Sequence, residues 1–253
     1  MIMHKPVLGL AAALCALHFA SQAMAVDLVV SAAVSLTNAF ADIGKEFEKS
    51  KPGANVLFNF AGSGQLLQQL SRGAPVDVFA SADQETMDKA AKQNFIVRDS
   101  RENFVRNKLV LVVPTNSVLG VHALGDLGLG AVTRIAVANP DSVPAGRYAK
   151  EALEAANLWD VLKEKYITTT NVRQSLDYTA RGEVDVGFVY LTDALIMPNR
   201  VKVLFDVPLS TEILYPIAMV KGNGHENLAR AFIAYLKSEP AQKILQKYGF
   251  NKP

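Results

Sequence analysis

The chain has 253 residues, half of them hydrophobic, and a formal net charge of only +2 at neutral pH. This is enough apolar material for one large or two small domains, and the nearly neutral charge argues against nucleic acid as a partner. With a single cysteine, Cys15, the chain excludes an intramolecular disulfide.

The N-terminal segment has the features of a secretory signal peptide. A basic residue, Lys5, precedes an apolar run at 6–20, and the segment ends on the small-x-small sequence AMA at 23–25. We expect cleavage after residue 25, which removes the cysteine and places the mature protein in the periplasm. An uncleaved anchor is disfavoured because the run is shorter than the about 20 residues of a spanning helix. A lipid on Cys15 is disfavoured because a bulky leucine precedes it, so we predict no stable membrane anchor.

Strand-like and helix-like stretches alternate along the rest of the chain, which is typical of an α/β protein built on mostly parallel sheets. Short apolar runs predict strands at Asp27–Ala32, Asn55–Phe60, Val76–Ala80, Lys108–Val113, Arg134–Ala138, Val184–Tyr190, Val201–Phe205 and Leu214–Val220. Helical periodicity predicts helices at Leu36–Lys49, Gln65–Ser71, Gln84–Gln93, Arg147–Ala156, Arg173–Arg181 and Leu228–Lys247. Gly73 and Gly182 follow two of these helices, as expected of left-handed C-caps.

Four strand-to-helix turns carry residues that commonly begin helices. Ser35 and Ser63 each follow an apolar strand, Pro144 suits a first helical position, and Asn171 is a candidate cap. A helix N-terminus offers N–H groups without internal acceptors and a positive dipole end, so four that converge could bind one anion. Each turn taken singly is explained equally well by ordinary capping.

Five motifs resemble, in order, the signatures of the periplasmic molybdate-binding proteins of ABC uptake systems. They are SLTNAF, FNFAGSGQLLQQLSRGAPVDVFASAD, VPAGRYAKEAL, NVRQSL with the later RGEVDVGFVYLTDA, and the terminal QKYGF. Order and spacing match from about Val26 to the C-terminus. The resemblance implies a two-lobed periplasmic binding protein fold. Each lobe would be a mostly parallel sheet flanked by helices, with the ligand in the cleft between the lobes.

The resemblance also implies the site, the ligand and the partners. The ligand would be molybdate or tungstate, bound as an oxyanion without a cofactor or bare metal cation and delivered to an ABC permease with its ATPase subunit. We expect a monomer. The binding groups would be the hydroxyls and amides of Ser35 and Ser63, the amides of Ala145 and Val172, and the phenol of Tyr190.

The same resemblance implies the lobe boundaries, and the sequence departs from the family pattern at Val34, Gly62 and Thr179. Lobe one would comprise residues 26–112 and 217–253, and lobe two residues 113–216. The chain would cross between them near Val113-Pro114 and Tyr215-Pro216. Gly62 stands where a serine is common, which would remove one neighbouring donor.

The five proposed positions suit a dianion that carries no proton. None of them is Asp, Glu, Lys or Arg, so the site would offer N–H and O–H donors, whereas the proton of hydrogen phosphate requires an acceptor. An amino-acid ligand would need an arginine for its carboxylate, but we predict that Arg147 and Arg173 are solvated surface charges. Sulfate is an equally proton-free dianion, so the preference for molybdate over sulfate rests on the resemblance alone.

Catalysis is disfavoured by the residues that remain after the leader. Only His122 and His225 are left, with no G-x-S-x-G elbow, S-x-x-K pair or P-loop. Asp185 and Asp193 have the best spacing for the carboxylate pair of a hydrolase. Asp185 suits a strand start, however, and Asp193 the cap of the next helix. We therefore predict a binding protein and not an enzyme, without a dedicated zinc site.

Overall fold

The computed structural model describes residues 26–222 and 224–253, so the predicted signal peptide lies outside the described residues. The described residues form two five-stranded sheets. The first contains β1 (Val26–Ala33), β2 (Ala54–Ala61), β3 (Val78–Ala80), β4 (Glu102–Asn107) and β10 (Ile213–Met219), in the spatial order β2-β1-β3-β10-β4. The second contains β5 (Leu109–Pro114), β6 (Ile135–Ala138), β7 (Tyr166–Thr169), β8 (Val186–Tyr190) and β9 (Val201–Asp206), in the order β7-β6-β8-β5-β9.

Helices cover both sheets. They are α1 (Thr37–Ser50), α2 (Ser63–Ser71), α3 (Gln84–Lys92), α4 (Pro144–Ala155), α5 (Val172–Ala180), α6 (Leu191–Ala194), α7 (Glu226–Leu236) and α8 (Glu239–Lys247). Short 3₁₀ turns lie at Val34–Leu36, Arg98–Ser100, Leu124–Gly128 and Lys163–Lys165. Helix α1 shows why these segments pack, because its buried residues Phe40, Ile43 and Phe47 recur every three or four positions and form one apolar face. None of the helices in the described part of the chain is long and apolar enough to cross a membrane.

Each sheet has four strands running in one direction and one running against them. In the first sheet the reversed strand is β10, which pairs antiparallel with both β3 and β4. In the second it is β5, which pairs antiparallel with β8 and β9. The remaining neighbours pair in parallel. The predicted α/β architecture of two mostly parallel sheets is therefore confirmed.

The chain changes sheet at two places. Strand β4 ends in the first sheet at Asn107, and after the single residue Lys108 strand β5 begins in the second sheet. The return lies between Asp206 and Ile213. The predicted crossings at Val113-Pro114 and Tyr215-Pro216 lie inside strands, so both changes of sheet come earlier than expected. We call residues 26–107 and 213–253 lobe one, and residues 109–206 lobe two.

Every predicted strand and helix has a counterpart, and the differences lie at edges and breaks. The two unpredicted strands, β4 and β7, are edge strands of their sheets, where short polar sequences are common. The predicted helix Leu228–Lys247 is two helices, because Ser238 caps α8 by accepting from the amide of Ala241 and a proline follows at the helix start. Gly73 and Gly182 have φ of +83° and +71°, as their predicted cap positions require.

Candidate anion-binding site

A small cavity lies between the lobes, where several strands of both sheets end. Its volume is about 10 Å³ for the centre of a water molecule, which is about the room that one water molecule needs. Ligands in open α/β sheets commonly bind at such carboxyl ends of strands. The twelve lining residues are Ala33, Val34, Ser35, Ala61, Gly62, Ser63, Ala82, Val143, Pro144, Ala145, Val172 and Tyr190. All five predicted binding residues are among them.

Lobe one contributes two buried serines whose hydroxyls already have one partner each. Ser35 lies in the 3₁₀ turn after β1, and its Oγ is 2.9 Å from the Oη of Tyr215. Ser63 is the first residue of α2, with Gly62 as the N-cap, and its Oγ accepts from the amide of Ala82 at 3.0 Å. Neither serine caps a helix, contrary to the capping prediction. Because Ser63 Oγ accepts from an amide, it keeps its own proton for a ligand, and Ser35 does the same when Tyr215 is the donor of their shared hydrogen bond.

Lobe two contributes the starts of two helices. Pro144 occupies the first position of α4, as predicted, and Ala145 follows it. Asn171 caps α5 by accepting from the amide of Gln174 at 3.0 Å, and Val172 is the first helical residue. Amides at the first positions of a helix have no helical acceptor. The N–H groups of Ala145 and Val172 are therefore suited to a ligand that only accepts hydrogen bonds.

Tyr190 ends β8 and is 1% exposed, yet its hydroxyl has no hydrogen-bond partner among the residues that the structure describes. Burial raises the pKa of this phenol well above its ordinary value, so the group stays protonated and can donate. A buried polar group without a partner destabilises a fold. The hydroxyl is thus a donor that only a bound ligand or water can satisfy.

No lining residue is charged, and the two arginines closest in sequence are already paired. The prediction that Arg147 and Arg173 are solvated is wrong, because their side chains are only 16% and 18% exposed. Arg147 Nη2 lies 2.6 Å from Asp83 Oδ2, and Arg173 pairs with Asp193. Since each guanidinium contacts a carboxylate and neither lines the cavity, no free cation is offered to an amino-acid carboxylate.

Both arginines reach from lobe two into lobe one. Besides Asp83, Arg147 donates to Thr86 Oγ1 at 2.7 Å, in α3. Arg173 donates to Asn38 Oδ1 at 2.9 Å, in α1. These contacts lie on the two helices that flank the lobe-one wall, so they hold the lobes together around the cavity.

A third contact between the lobes requires a glycine. The amide of Gly64 donates to the carbonyl oxygen of Ser142 at 3.0 Å. A Cβ added at Gly64 would lie 2.4 Å from that oxygen, a distance that real Cβ atoms do not show. The only feature of the sequence that indicates this contact is GSG at 62–64, from which no contact between the lobes was predicted.

The carboxylates considered for a hydrolase do not meet. Asp185 precedes β8 and Asp193 follows it within α6, so seven residues separate them, five of which form the strand at about 3.3 Å per residue. Asp185 accepts from the amide and hydroxyl of Thr133, both at 2.7 Å. Asp193 lies inside α6 and does not cap it, and burial raises its pKa despite the neighbouring Arg173. The alternative of a hydrolase using this pair is therefore wrong.

Two lobes that enclose a small cavity lined by uncharged donors define a two-lobed solute-binding protein. The family model of the bacterial extracellular solute-binding proteins matches residues 28–251, and the chain belongs to this family. Its members bind solutes outside the cytoplasm, and the relatives described below are binding proteins and not enzymes.

Named relatives include proteins that bind molybdate. The chain is 39% identical to the molybdate-binding protein ModA of Escherichia coli K12 over 229 residues, which is 88% of this chain and 88% of that protein. It is similar to the solved periplasmic molybdate-binding protein of Azotobacter vinelandii, with a TM-score of 0.79, 25% identity and coverage of 89% of this chain and 99% of that one.

A solved sulfate-binding protein has the same fold. The structure of SubI from Mycobacterium tuberculosis matches with a TM-score of 0.80 and 16% identity, covering 89% of this chain and 86% of that one. The fold by itself therefore does not separate molybdate from sulfate.

Proposed function

We propose that this protein captures molybdate, and also tungstate, in the cleft between its lobes and delivers the ion to an ABC permease with its ATPase subunit. The observation that carries the proposal is the buried hydroxyl of Tyr190, which lacks a partner in a cavity without any charged side chain. The identity to molybdate-binding proteins of other bacteria supports the choice of ion.

The residues around the cavity would act only as donors. Ser35 and Ser63 donate their hydroxyl protons from lobe one. Tyr190 donates its phenol proton from lobe two, and the amides of Ala145 and Val172 complete that wall. Hydrogen bonds from such groups to an ion in a desolvated site are short and strong. A ligand that carries a proton, such as hydrogen phosphate, finds no carboxylate acceptor among the lining residues.

Binding between the lobes supplies the transport mechanism. An anion that touches both walls favours the closed arrangement by its higher affinity for that state. The permease would then recognise the closed protein. We also propose that the leader is cleaved after residue 25, that the mature chain acts as a monomer in the periplasm, and that no cofactor or metal cation takes part.

The test is a calorimetric titration of residues 26–253 with molybdate, tungstate, sulfate and phosphate. We expect molybdate and tungstate to bind one ion per chain, and thermal unfolding to shift upward. At a thousandfold excess over Kd the added stability is about 4 kcal/mol. Chelator and reductant should leave binding unaffected, and a Ser35→Ala/Ser63→Ala double variant should stay folded but bind much more weakly.

Two results would contradict the proposal. An unchanged melting temperature in excess molybdate, with a clear rise in sulfate, would transfer the protein to the sulfate-binding class. Loss of molybdate binding after metal removal would indicate a metal-bridged site instead.

A further inference from the structure

The hydroxyl of Ser35 is the end of a buried chain of hydrogen bonds that begins where the polypeptide crosses between the lobes. Tyr215 Oη lies 2.9 Å from Ser35 Oγ, and Asn107 Nδ2 donates to the same phenol oxygen at 3.1 Å. All three side chains are buried, with Tyr215 0% exposed and Asn107 6% exposed. Only Ser35 lines the cavity, so the other two side chains act on a ligand only through it.

The direction of this chain follows from the contacts of Asn107. Its Oδ1 accepts from the amide of Lys108 at 2.9 Å, which turns the amide nitrogen toward Tyr215 and toward Thr192 Oγ1, also at 2.9 Å. Tyr215 Oη therefore accepts from Asn107, and its own proton is directed to Ser35 Oγ. The proton of Ser35 is then left for the cavity.

Tyr215 is suited to keep this direction at all ordinary pH values. Burial raises the pKa of its phenol well above the usual value, while the hydrogen bonds with Ser35 and Asn107 act in the opposite sense. The phenol stays protonated and remains a donor. A chain of donors that all point one way also polarises its last member, which strengthens the hydrogen bond that member makes.

We propose that Tyr215, held by Asn107, is a positioning residue that orients the anion-binding hydroxyl of Ser35. This inference rests on the proposed function. Ser63 has a backbone equivalent, since the amide of Ala82 donates to its Oγ. Both serines are thus turned toward the ligand by a hydrogen bond that they accept, but only the one at Ser35 depends on side chains that can be replaced.

The link also joins the anion site to the crossing between the lobes. Asn107 is the last residue of β4, directly before Lys108, and it contacts lobe one through Tyr215 and lobe two through Thr192. The side chain that orients the donor therefore also fixes the crossing segment.

The test is a double-mutant cycle on molybdate affinity with Ser35→Ala and Tyr215→Phe. We expect Tyr215→Phe alone to weaken Kd by about 2- to 10-fold, the size of one neutral hydrogen bond. In the Ser35→Ala background the same change should have less than about a twofold effect, because the hydroxyl it orients is gone. A purely structural role would lower the melting temperature without this dependence on Ser35.

Asn107→Ala serves as a second variant if Tyr215→Phe does not fold, with the same direction of effect and the same loss of effect without Ser35. The matched control is Tyr166→Phe, whose hydroxyl donates to the carbonyl oxygen of Trp159 at 2.9 Å within lobe two. It should lower the melting temperature and leave Kd unchanged. An unaltered Kd in Tyr215→Phe, or an equal loss in both backgrounds, would overturn the inference alone. Wild-type protein that binds no oxyanion would overturn the proposed function with it.

Discussion

Tyr190 shows how a single side chain can connect stability with binding. Its ring packs in the core against Tyr215, with ring centroids 5.8 Å apart, while its hydroxyl has no hydrogen-bond partner in the described part of the chain. The buried ring stabilises the fold, whereas the desolvated hydroxyl destabilises it. A ligand that accepts a hydrogen bond from this hydroxyl removes the destabilisation.

Tyr190→Phe should therefore weaken molybdate binding without weakening the fold. Loss of one hydrogen bond to a charged ligand costs about 1.5–3 kcal/mol, which is about a 10- to 150-fold higher Kd. The ligand-free melting temperature should stay the same or rise, because no bond within the protein is lost. Calorimetry and thermal unfolding measure the two quantities, with Tyr166→Phe as the control. A lower ligand-free melting temperature with an unchanged Kd would mean that the hydroxyl is structural.

Asp185 has a structural role at the start of β8, the end of the strand opposite the cavity. Its Oδ2 accepts from the amide and hydroxyl of Thr133 and from the amide of Arg134 at 2.7–2.8 Å. Partial burial by itself would raise the pKa of Asp185, but these hydrogen bonds outweigh it and lower the pKa. The carboxylate thus fastens the start of β6 to that of β8.

Asp185→Asn should reduce stability at neutral pH and flatten its pH dependence. Because the carboxyl has a lower pKa in the folded chain than in the unfolded one, it stabilises the fold above the unfolded value. That contribution is lost as the pH falls through the folded value. We expect a loss of about 1 kcal/mol at pH 7 that disappears in acid, measured by denaturant unfolding at several pH values. Asp99→Asn, at an exposed aspartate, should show no such difference, and a pH-independent loss would contradict the carboxylate's assigned role.

At the scale of the element, three adjacent residues at the start of α2 have three different roles. Gly62 is the N-cap, and its amide donates to Gln65 Oε1 at 3.3 Å. Ser63 faces the cavity, and Gly64 contacts Ser142 of lobe two. The absence of a side chain at Gly64 is what permits that approach.

Gly64→Ala should weaken molybdate binding by disturbing the closed contact. The added Cβ would lie 2.4 Å from Ser142 O, and overpacking of this kind costs about 1–3 kcal/mol, or about a 5- to 150-fold higher Kd. The ligand-free fold should not be weakened, since alanine is the better helix former. Gly125→Ala, where no atom lies within 4 Å of the added carbon, is the control. Equal affinities in the two variants would show that this contact does not contribute to closure.

At the scale of the whole molecule, polar contacts on both sides of the cavity join the lobes. Arg147 and Asp83 form one, and Arg173 with Asn38 forms another. Because Asp83 neutralises Arg147 and Asp193 neutralises Arg173, these contacts support closure without adding net charge beside the ligand cavity. The bound anion and these contacts favour the closed state, whereas conformational entropy favours the open state.

Arg147→Met should favour the open state. Breaking a pair of intermediate burial costs about 1–3 kcal/mol, so molybdate affinity should fall by about 5- to 150-fold. Small-angle scattering should show a larger radius of gyration without ligand than in wild type, and a decrease on saturation with molybdate. Arg101→Met, which breaks a pair with Asp88 inside lobe one, should leave affinity and radius unchanged. An unchanged profile at saturating ligand in wild type would argue for a rigid, preformed site.

Local sequence was sufficient to predict the alternation of strands and helices and the left-handed caps, whereas the five residues around the cavity were implied by the resemblance to a family. Periodicity, glycine and helix-start residues act over a few positions, so a single chain displays them directly. Each strand-to-helix turn was uninformative by itself, and the resemblance assigned these turns to one binding site.

Tertiary structure alone decided which sheet each strand joins and which distant residues meet. Strands β4 and β5 are separated by one residue yet lie in different sheets, because strand pairing depends on partners far along the chain. Arg147 was predicted from the sequence to be a surface charge, but in the fold its Nη2 lies 2.6 Å from Asp83 Oδ2. Tyr215 likewise has no local signal for its contact with Ser35, 180 residues away. Pairing between distant residues is a property of the packed fold, so no local pattern could reveal these contacts.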